Sequence, residues 1–331
     1  MTRYRALLVE KTEDKRFVRR IVERDDAELP AGELLIDVRY SSLNYKDALS
    51  ATGNPGVTRK FPHTPGIDVA GTVVASDDPA YRKGDEVVAI GFDLGMNTPG
   101  GFGQRVRIPS GWAVPLPKGL TLEESMVLGT AGFTAALCVH KLEHSGLRPA
   151  SGPVLVTGAT GGVGSVAVAL LQRLGYEVAA VTGKPEQRAF LERLGATQVL
   201  ERAALLEGAD RPLLKEQWGG VIDTVGGAML FNALKSLRYG CSLAACGLVA
   251  SPEIPATVYP FILRHTNLLG IDSVQLPLDQ KREIWGKLAG PWKLDDLAAL
   301  KQPLTLESLS DAIDRILAGK MVGRGVVDLR A

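Results

Sequence analysis

Cysteine is scarce in this chain. Cys138, Cys241 and Cys246 are the only three among 331 residues, and no two form a C-x-x-C step. An odd count without close pairs argues against a disulfide framework or a zinc ribbon, and small buried side chains are the expectation. Neither sign of charge is in excess. Thirty-eight Lys plus Arg against 37 Asp plus Glu leave a formal +1, so nothing calls for nucleic acid or an anionic membrane as partner. No uninterrupted apolar run is read as long enough to cross a bilayer. The opening stretch, MTRYRALLVEKTEDKR, turns charged before a signal-peptide core can form. A cytoplasmic protein is expected. Histidine is also rare, at four. His140 and His144 stand one helical turn apart, a spacing able to offer two imidazoles to a metal. No carboxylate or thiolate partner is evident beside them, and ordinary helix-end positions are expected.

At 331 residues the chain exceeds one ordinary core and suits two domains. Its first third reads as β. ELLIDVRYSSLN (33–44), DVAGTVVAS (68–76), DEVVAIG (85–91) and GQRVRIP (103–109) are short, rich in β-branched residues and bounded by turn formers. That spacing favours a small barrel-like domain. A helix should follow from GLTLEESMVLGT, because Thr121 and Glu124 have the capping-box spacing. From about residue 152 strands and helices alternate. VLVTG, EVAAVTG, VIDTVG, SLAACG and NLLGI read as buried strands, and GVGSVAVALLQRLG and PEQRAFLERLGA as helices. Apolar strands separated by helices indicate a doubly wound parallel sheet. The tail, LTLESLSDAIDRILAGKMVGRGVVDL, reads as a helix and a strand that return to the β domain.

Between the first of those strands and its helix lies TGATGGVG (157–164). Glycines there allow a tight turn and a close backbone approach to a pyrophosphate, while the helix amino terminus offers amides and a positive dipole. Ala159 stands where the first fingerprint glycine would be; Gly161 and Gly164 match the second and third. The next strand ends in VTGKPEQR, with Thr182, Gly183, Lys184 and Arg188 where an NAD-specific protein would carry an acidic residue for the ribose 2′-hydroxyl. A cation in place of that carboxylate suits a 2′-phosphate, and Arg202 can add a second. NADPH is therefore the expected cofactor.

PGIDVAGTVV, KGDEVVAIG, GTAGFTAAL and GATGGVG, in that order, resemble the medium-chain dehydrogenase/reductase superfamily over nearly the whole chain. The resemblance implies an α/β protein with a GroES-like β-rich catalytic domain plus a doubly wound Rossmann nucleotide-binding domain. Residues 1–123 would form the catalytic domain, 124–275 the nucleotide domain, and 276–331 the return to the first. Zinc-dependent members carry a glycine–histidine–glutamate step where this chain has Gly66, Ile67 and Asp68, and a metal cysteine near Asn44. Isoleucine cannot ligate zinc, so no metal is expected. SSLNYKDAL, FPHTPGIDVAG, GTAGFTAALCV, VIDTVGG, AACGL and GIDSV further resemble the zinc-free AcuI/YhdH group of NADPH-dependent acrylyl-CoA reductases, often labelled quinone oxidoreductases.

That resemblance implies reduction of the activated double bond of acrylyl-CoA to propionyl-CoA. Reduction of quinones or other enals is the alternative, and a non-catalytic NADPH-sensing protein a third. It places Tyr45, Asn44 and Asp47 at the reacting end. Tyr45 is then a candidate donor to the developing enolate or a cofactor contact, with Asn44 and Asp47 as a local hydrogen-bond network. A polar turn opening a helix, capped by Asn44, is the plainer possibility. By position, Thr160, Gly161, Gly162 and Val163 belong on the pyrophosphate, and Thr182, Gly183, Lys184 and Arg202 around the adenosine phosphate. Leu248 and Ser273 lie at carboxyl ends of later strands. Ile262, within YPFIL, is either a cofactor contact or core. Arg324, within VGRG, is either a cofactor or CoA-phosphate contact or an exposed turn arginine. The partners expected are an acyl-CoA or quinone-like small molecule and a second copy of the chain, since an uncovered NLLGI edge would favour a homodimer.

Overall fold

The computed structural model describes residues 2–331 and divides into two compact units. One comprises the residues up to Thr130 together with Val274–Pro291 and Asp295–Ala331; the other comprises Ala131–Ser273 with Trp292–Leu294. The chain thus passes between units at Thr130/Ala131 and Ser273/Val274, and briefly again around Trp292–Leu294.

The first unit opens with a hairpin, β1 (Arg3–Lys11) and β2 (Phe17–Asp25), paired antiparallel along nine residues. Sequence patterning did not reveal it, because FVRRIVERD hides its half-buried face among charges. β3 (Leu34–Leu43), α1 (Tyr45–Ala51), β4 (Asp68–Ser76), β5 (Glu86–Ile90), β6 (Arg105–Ile108) and the short β7 (Ala113–Pro115) follow. Four of these match the strands expected from alternation and turn residues; β7 was too short to announce itself.

The long helix α2 (Leu122–His144) starts on the expected capping box: the Thr121 N–H donates to Glu124 Oε2 at 2.8 Å, and the Glu124 N–H to Thr121 Oγ at 3.1 Å. Within it Gly129 leaves the helical region, at φ 50° and ψ −158°. By length and composition α2 is apolar enough to cross a membrane, which corrects the expectation that no run reaches that length. Some 78% of its most apolar window is buried in the protein, which makes it a core helix.

In the second unit come β8 (Val154–Val156), α3 (Gly162–Arg173), β9 (Val178–Thr182), α4 (Arg188–Arg193), β10 (Gln198–Glu201), α5 (Arg202–Leu206), β11 (Gly220–Asp223), α6 (Gly227–Lys235), β12 (Ser242–Ala245), α7 (Tyr259–Arg264) and β13 (Asn267–Gly270). Its six strands are all parallel, in the order β10-β9-β8-β11-β12-β13. This is the doubly wound arrangement, with its reversal of strand order between β8 and β11. Central strands β8, β9 and β11 are wholly buried, and Leu155, Val181, Val221, Leu234 and Leu243 form the core around them. β13 departs from expectation. It lies at the sheet edge with Asn267, Leu268 and Gly270 exposed, because among the described residues no strand pairs with its outer side.

The chain then returns to the first unit through α8 (Leu278–Ala289), β14 (Lys301–Thr305), α9 (Leu309–Leu317) and β15 (Arg324–Asp328). As the tail pattern implied, β15 pairs antiparallel with β3 and parallel with β14. It completes a seven-stranded sheet β14-β15-β3-β4-β5-β7, with β6 also paired to β3. Leu309, Ala312 and Ile313 of α9 recur at helical spacing and pack into the core with Leu34, Ile36, Val69 and Val87.

Candidate active site

Two polar clusters stand out, one in each unit. In the first, β3 ends at Leu43 and α1 begins at Tyr45, so Asn44 occupies the N-cap in an extended conformation. Its cap is inverted relative to expectation. Asp47 reaches back to accept the Asn44 N–H at 2.8 Å, while the Asn44 side chain goes elsewhere, its amide donating to Asp68 Oδ2 at 2.8 Å. The other oxygen of Asp47 accepts the Ile67 N–H at 2.8 Å. Asp68 also accepts the Thr130 N–H at 2.9 Å, the Thr130 hydroxyl at 2.5 Å and the Ser42 hydroxyl.

Arg324 closes this network and corrects the expectation of an exposed turn arginine. It is 2% exposed, at the first position of β15, and its guanidinium is directed inward. Nε donates to Val127 O at 2.9 Å, Nη1 to Asn44 Oδ1 at 3.2 Å and Nη2 to Ser42 Oγ at 2.9 Å, with Nη2 3.9 Å from Asp68 Oδ2. A guanidinium so engaged is a structural partner for carboxylates, not a turn arginine in water. Gly129 fits against the same group. A Cβ there would meet Ser42 Oγ at 2.4 Å and Asp68 Oδ2 at 2.5 Å, so the break in α2 is where the helix admits the cluster.

Asp47 and Asp68 are both fully buried, and the Arg324 guanidinium feels the charge of both, Asp68 more than Asp47. Burial, followed by the neighbouring Asp68, pushes the Asp47 carboxyl up to about 7, against the backbone and side-chain donors of Asn44 and Ile67. Among the described residues no three His, Cys, Asp or Glu side chains converge as a metal site would require. Where zinc-dependent relatives place a histidine, Ile67 contributes only its N–H to Asp47. The His140 and His144 rings lie 4.1 Å apart, tilted at 53°, and His144 Nδ1 lies 2.8 Å from the His140 carbonyl. Tyr45, first residue of α1, is half-buried.

The second cluster surrounds the glycine loop at the reversal of strand order. Gly158 has φ 59°, and a Cβ on it would meet Thr224 Oγ at 2.3 Å. A Cβ on Gly164 would meet the Gly158 carbonyl at 2.3 Å. The loop is therefore drawn tight between β8 and β11, and Gly161 caps α3 with no acidic side chain in the first turn. Thr157 and Asp223 tie the two strands together: the Thr157 hydroxyl donates to Asp223 Oδ1 at 2.6 Å, and Asp223 Oδ2 accepts the Gly226 N–H at 2.7 Å. The Thr224 hydroxyl donates to the Thr157 carbonyl at 2.9 Å.

At the end of β9, Thr182 Oγ lies 3.4 Å from Thr160 Oγ and accepts the Lys184 N–H at 3.0 Å. Arg202 lies flat on Gly183, where a Cβ would meet its Cζ at 2.4 Å. Burial draws the Lys184 ammonium below its ordinary range; Glu186 opposes this and Arg202 adds to it. Two neighbouring cations at the end of β9 form a cradle that suits a dianion. This cradle and the loop drawn tight at Gly158 and Gly164 are what a phosphorylated dinucleotide requires.

Thr160 to Val163, Thr182, Gly183, Lys184 and Arg202 are thus brought together, as are Asn44, Asp47 and Arg324. Ser273 is buried and accepts a hydrogen bond from the Thr134 hydroxyl at 2.9 Å. Leu248 and Ile262 stand on the surface, 60% and 69% exposed, which removes the core alternative for Ile262. Ser42, Asp68, Thr130, Thr157 and Asp223 were missed as functional candidates. Their partners lie in distant segments, and only the Gly66–Ile67–Asp68 step gave any signal.

Comparison with known proteins adds the following. Residues 30–118 match the alcohol dehydrogenase GroES-like domain family, and residues 162–287 the zinc-binding dehydrogenase family. The acrylyl-CoA reductase AcuI of Ruegeria pomeroyi is 48% identical over 329 residues, covering 99% of this chain and all of the relative. The yhdH oxidoreductase of Salmonella enterica, solved in complex with NADP, superposes with a TM-score of 0.95 at 44% identity, covering 98% of this chain and 99% of its own. The Bacillus subtilis protein yhfP, solved with NAD bound, gives 0.96 at 44% identity, covering 99% of this chain and all of its own.

Proposed function

Since the chain belongs to the zinc-free AcuI/YhdH family of the medium-chain dehydrogenase/reductase superfamily, we propose that it uses NADPH to reduce the double bond of an α,β-unsaturated acyl thioester, acrylyl-CoA to propionyl-CoA. Full-length likeness to AcuI supports the substrate. The cationic pair Lys184–Arg202 at the end of β9 carries the cofactor choice, since relatives have been solved with both NADP and NAD. In balance, acrylyl-CoA, NADPH and a proton give propionyl-CoA and NADP⁺.

When bound, NADPH supplies the hydride. The chain's own residues must then hold the acceptor and manage charge. Negative charge develops on the thioester oxygen, and a fixed hydrogen-bond donor lowers its energy. Tyr45 is our candidate for that donor and for protonation of the α carbon. The Asn44–Asp47 and Asn44–Asp68 hydrogen bonds hold the turn from which it projects. Asp47 and Asn44 act here as positioning groups. Thr160 to Val163 would hold the pyrophosphate, and Thr182, Lys184 and Arg202 the adenosine phosphate. Tyr45→Phe should lower kcat about a hundredfold with NADPH affinity nearly unchanged; stopped-flow hydride transfer and cofactor titration check both, and an undiminished rate removes Tyr45 from the donor role.

Substrate class is tested by comparing kcat/KM for acryloyl-CoA and a soluble quinone, each with NADPH. A higher quinone value would favour quinone reduction, and tight NADPH binding without turnover of either would favour a sensor.

We also infer a homodimer. β13 is the last strand of its sheet and exposes Leu268, the preceding segment exposes Val258, Tyr259, Ile262 and Leu263, and an apolar open strand favours pairing with its own copy. Light scattering should find a dimer for the native chain and a monomer for Leu268→Lys. A monomeric native chain would refute the inference.

A further inference from the structure

Asn232 and Lys235 stand three apart on one face of α6, and each is 2% exposed. Neither belongs to the two polar clusters described above. Both side chains reach the segment that follows β10. The Asn232 amide donates to the Leu205 carbonyl at 3.0 Å and to the Glu207 carbonyl at 3.3 Å. The Lys235 ammonium donates to the Ala209 carbonyl at 2.8 Å and to the Arg211 carbonyl at 2.9 Å, and lies 5.7 Å from the centre of the Phe231 ring. Every second carbonyl from Leu205 to Arg211 is thus held by one face of α6. Farther along, the Lys235 carbonyl accepts the Leu214 N–H at 3.1 Å.

The helix at the head of this segment needs such support. α5 has five residues, Arg202–Leu206, whereas a helix needs on the order of a dozen to persist unaided. Its last carbonyls find no partner within so short a helix. Asn232 supplies a donor to one of them, and Leu205 anchors the same turn in the core with Leu230 and Leu234 of α6. Beyond α5 the chain runs as turns and loop to β11. The first residue of α5 is Arg202, whose guanidinium lies on Gly183. Arg202 stands within one turn of Leu205, so a shift of that carbonyl carries the guanidinium with it.

We propose that Asn232 and Lys235 are positioning residues for cofactor selectivity: by fixing α5 they keep Arg202 over Gly183, where it distinguishes the phosphorylated dinucleotide from the unphosphorylated one. Both act through Arg202. The effect on selectivity rests on the reading of Arg202 given above; the clamp on α5 does not.

In the full-length protein, Asn232→Ala should raise the NADPH Kd about fivefold and leave the NADH Kd within about twofold, a smaller loss than deleting a phosphate contact outright. Lys235→Met keeps the aliphatic stem and should act in the same direction more weakly, since its carbonyls lie beyond α5; it also serves if Asn232→Ala does not fold. Fluorescence titration with each cofactor reads both variants. Hydrogen exchange without cofactor should quicken over residues 202–211 in both, and stay native in β8 and β11. In an Arg202→Ala background, Asn232→Ala should weaken NADPH binding no further, whereas independent sites would add. Parallel losses for NADPH and NADH, or additive losses with Arg202→Ala, would reduce the pair to a structural role and overturn the proposal. Unchanged exchange would overturn the clamp. Faster exchange with native NADPH affinity would overturn the coupling. If Arg202→Ala alone leaves NADPH affinity native, the reading of Arg202 fails and the coupling with it, while exchange still decides the clamp.

Discussion

Replacing Lys184 and Arg202 together by alanine should raise the NADPH Kd by about two orders of magnitude while moving the NADH Kd only a few-fold. Each removed cation deletes a charge-assisted hydrogen bond to the 2′-phosphate, worth roughly 1.5–3 kcal/mol, and a factor of ten in affinity corresponds to about 1.4 kcal/mol. NADH lacks the phosphate and should be indifferent. Gly183→Ala refines the test. It keeps both charges but intrudes where Arg202 lies, at 2.4 Å from its Cζ, and should give a smaller loss with the same cofactor selectivity. Isothermal titration with both cofactors decides. Equal losses for NADPH and NADH would mean the pair merely stabilises the end of β9.

Arg324→Met should be the most damaging single change to the first unit. Removing one partner from a buried ion pair costs about 3–5 kcal/mol, because the remaining charge stays desolvated. Here two carboxyls, Asp47 and Asp68, would remain, and Asn44, Ser42 and Val127 would each lose a donor. A fall in Tm on the order of 10 °C is expected by calorimetry; a shift of a degree or two would show that the network contributes little.

The pH dependence has a definite sign. Asp47 ionises near 3.8 when unfolded and about 7 when folded, so between those values the folded chain binds the extra proton. Its stabilising contribution is full below 3.8, is lost as pH rises toward 7, and changes no further above that. Asp47→Asn should flatten this part of the urea-midpoint profile, leaving the acid limb of other carboxylates intact.

Much of the architecture was legible in the sequence because it is written locally. The strands at 34–43, 68–76 and 86–90 declare themselves through β-branched alternation between turn residues, and the parallel sheet through apolar runs separated by helices. The nucleotide cluster was legible for the same reason, as strand, loop and helix are contiguous. What stayed hidden depends on distance or on position in the sheet. Arg324 looks like a turn residue because Gly323 and Gly325 flank it. Gly323 does form the turn, at φ 66°, but the strand begins at Arg324 and carries it to Asn44, 280 residues away. Leu268 is apolar yet exposed, because β13 is the last strand of its sheet, a fact no local pattern records.

The pairing of β15 with β3 also bears on how the chain is made. The nucleotide unit has all six strands in hand by Gly270, all drawn from a continuous stretch beginning at Val154. The first unit begins earlier on the ribosome but must wait for residues 324–328 before its sheet closes and its buried acids receive their counter-charge. The part translated first is therefore finished last, and until then it presents the open edge of β3 and an uncompensated pair of carboxyls.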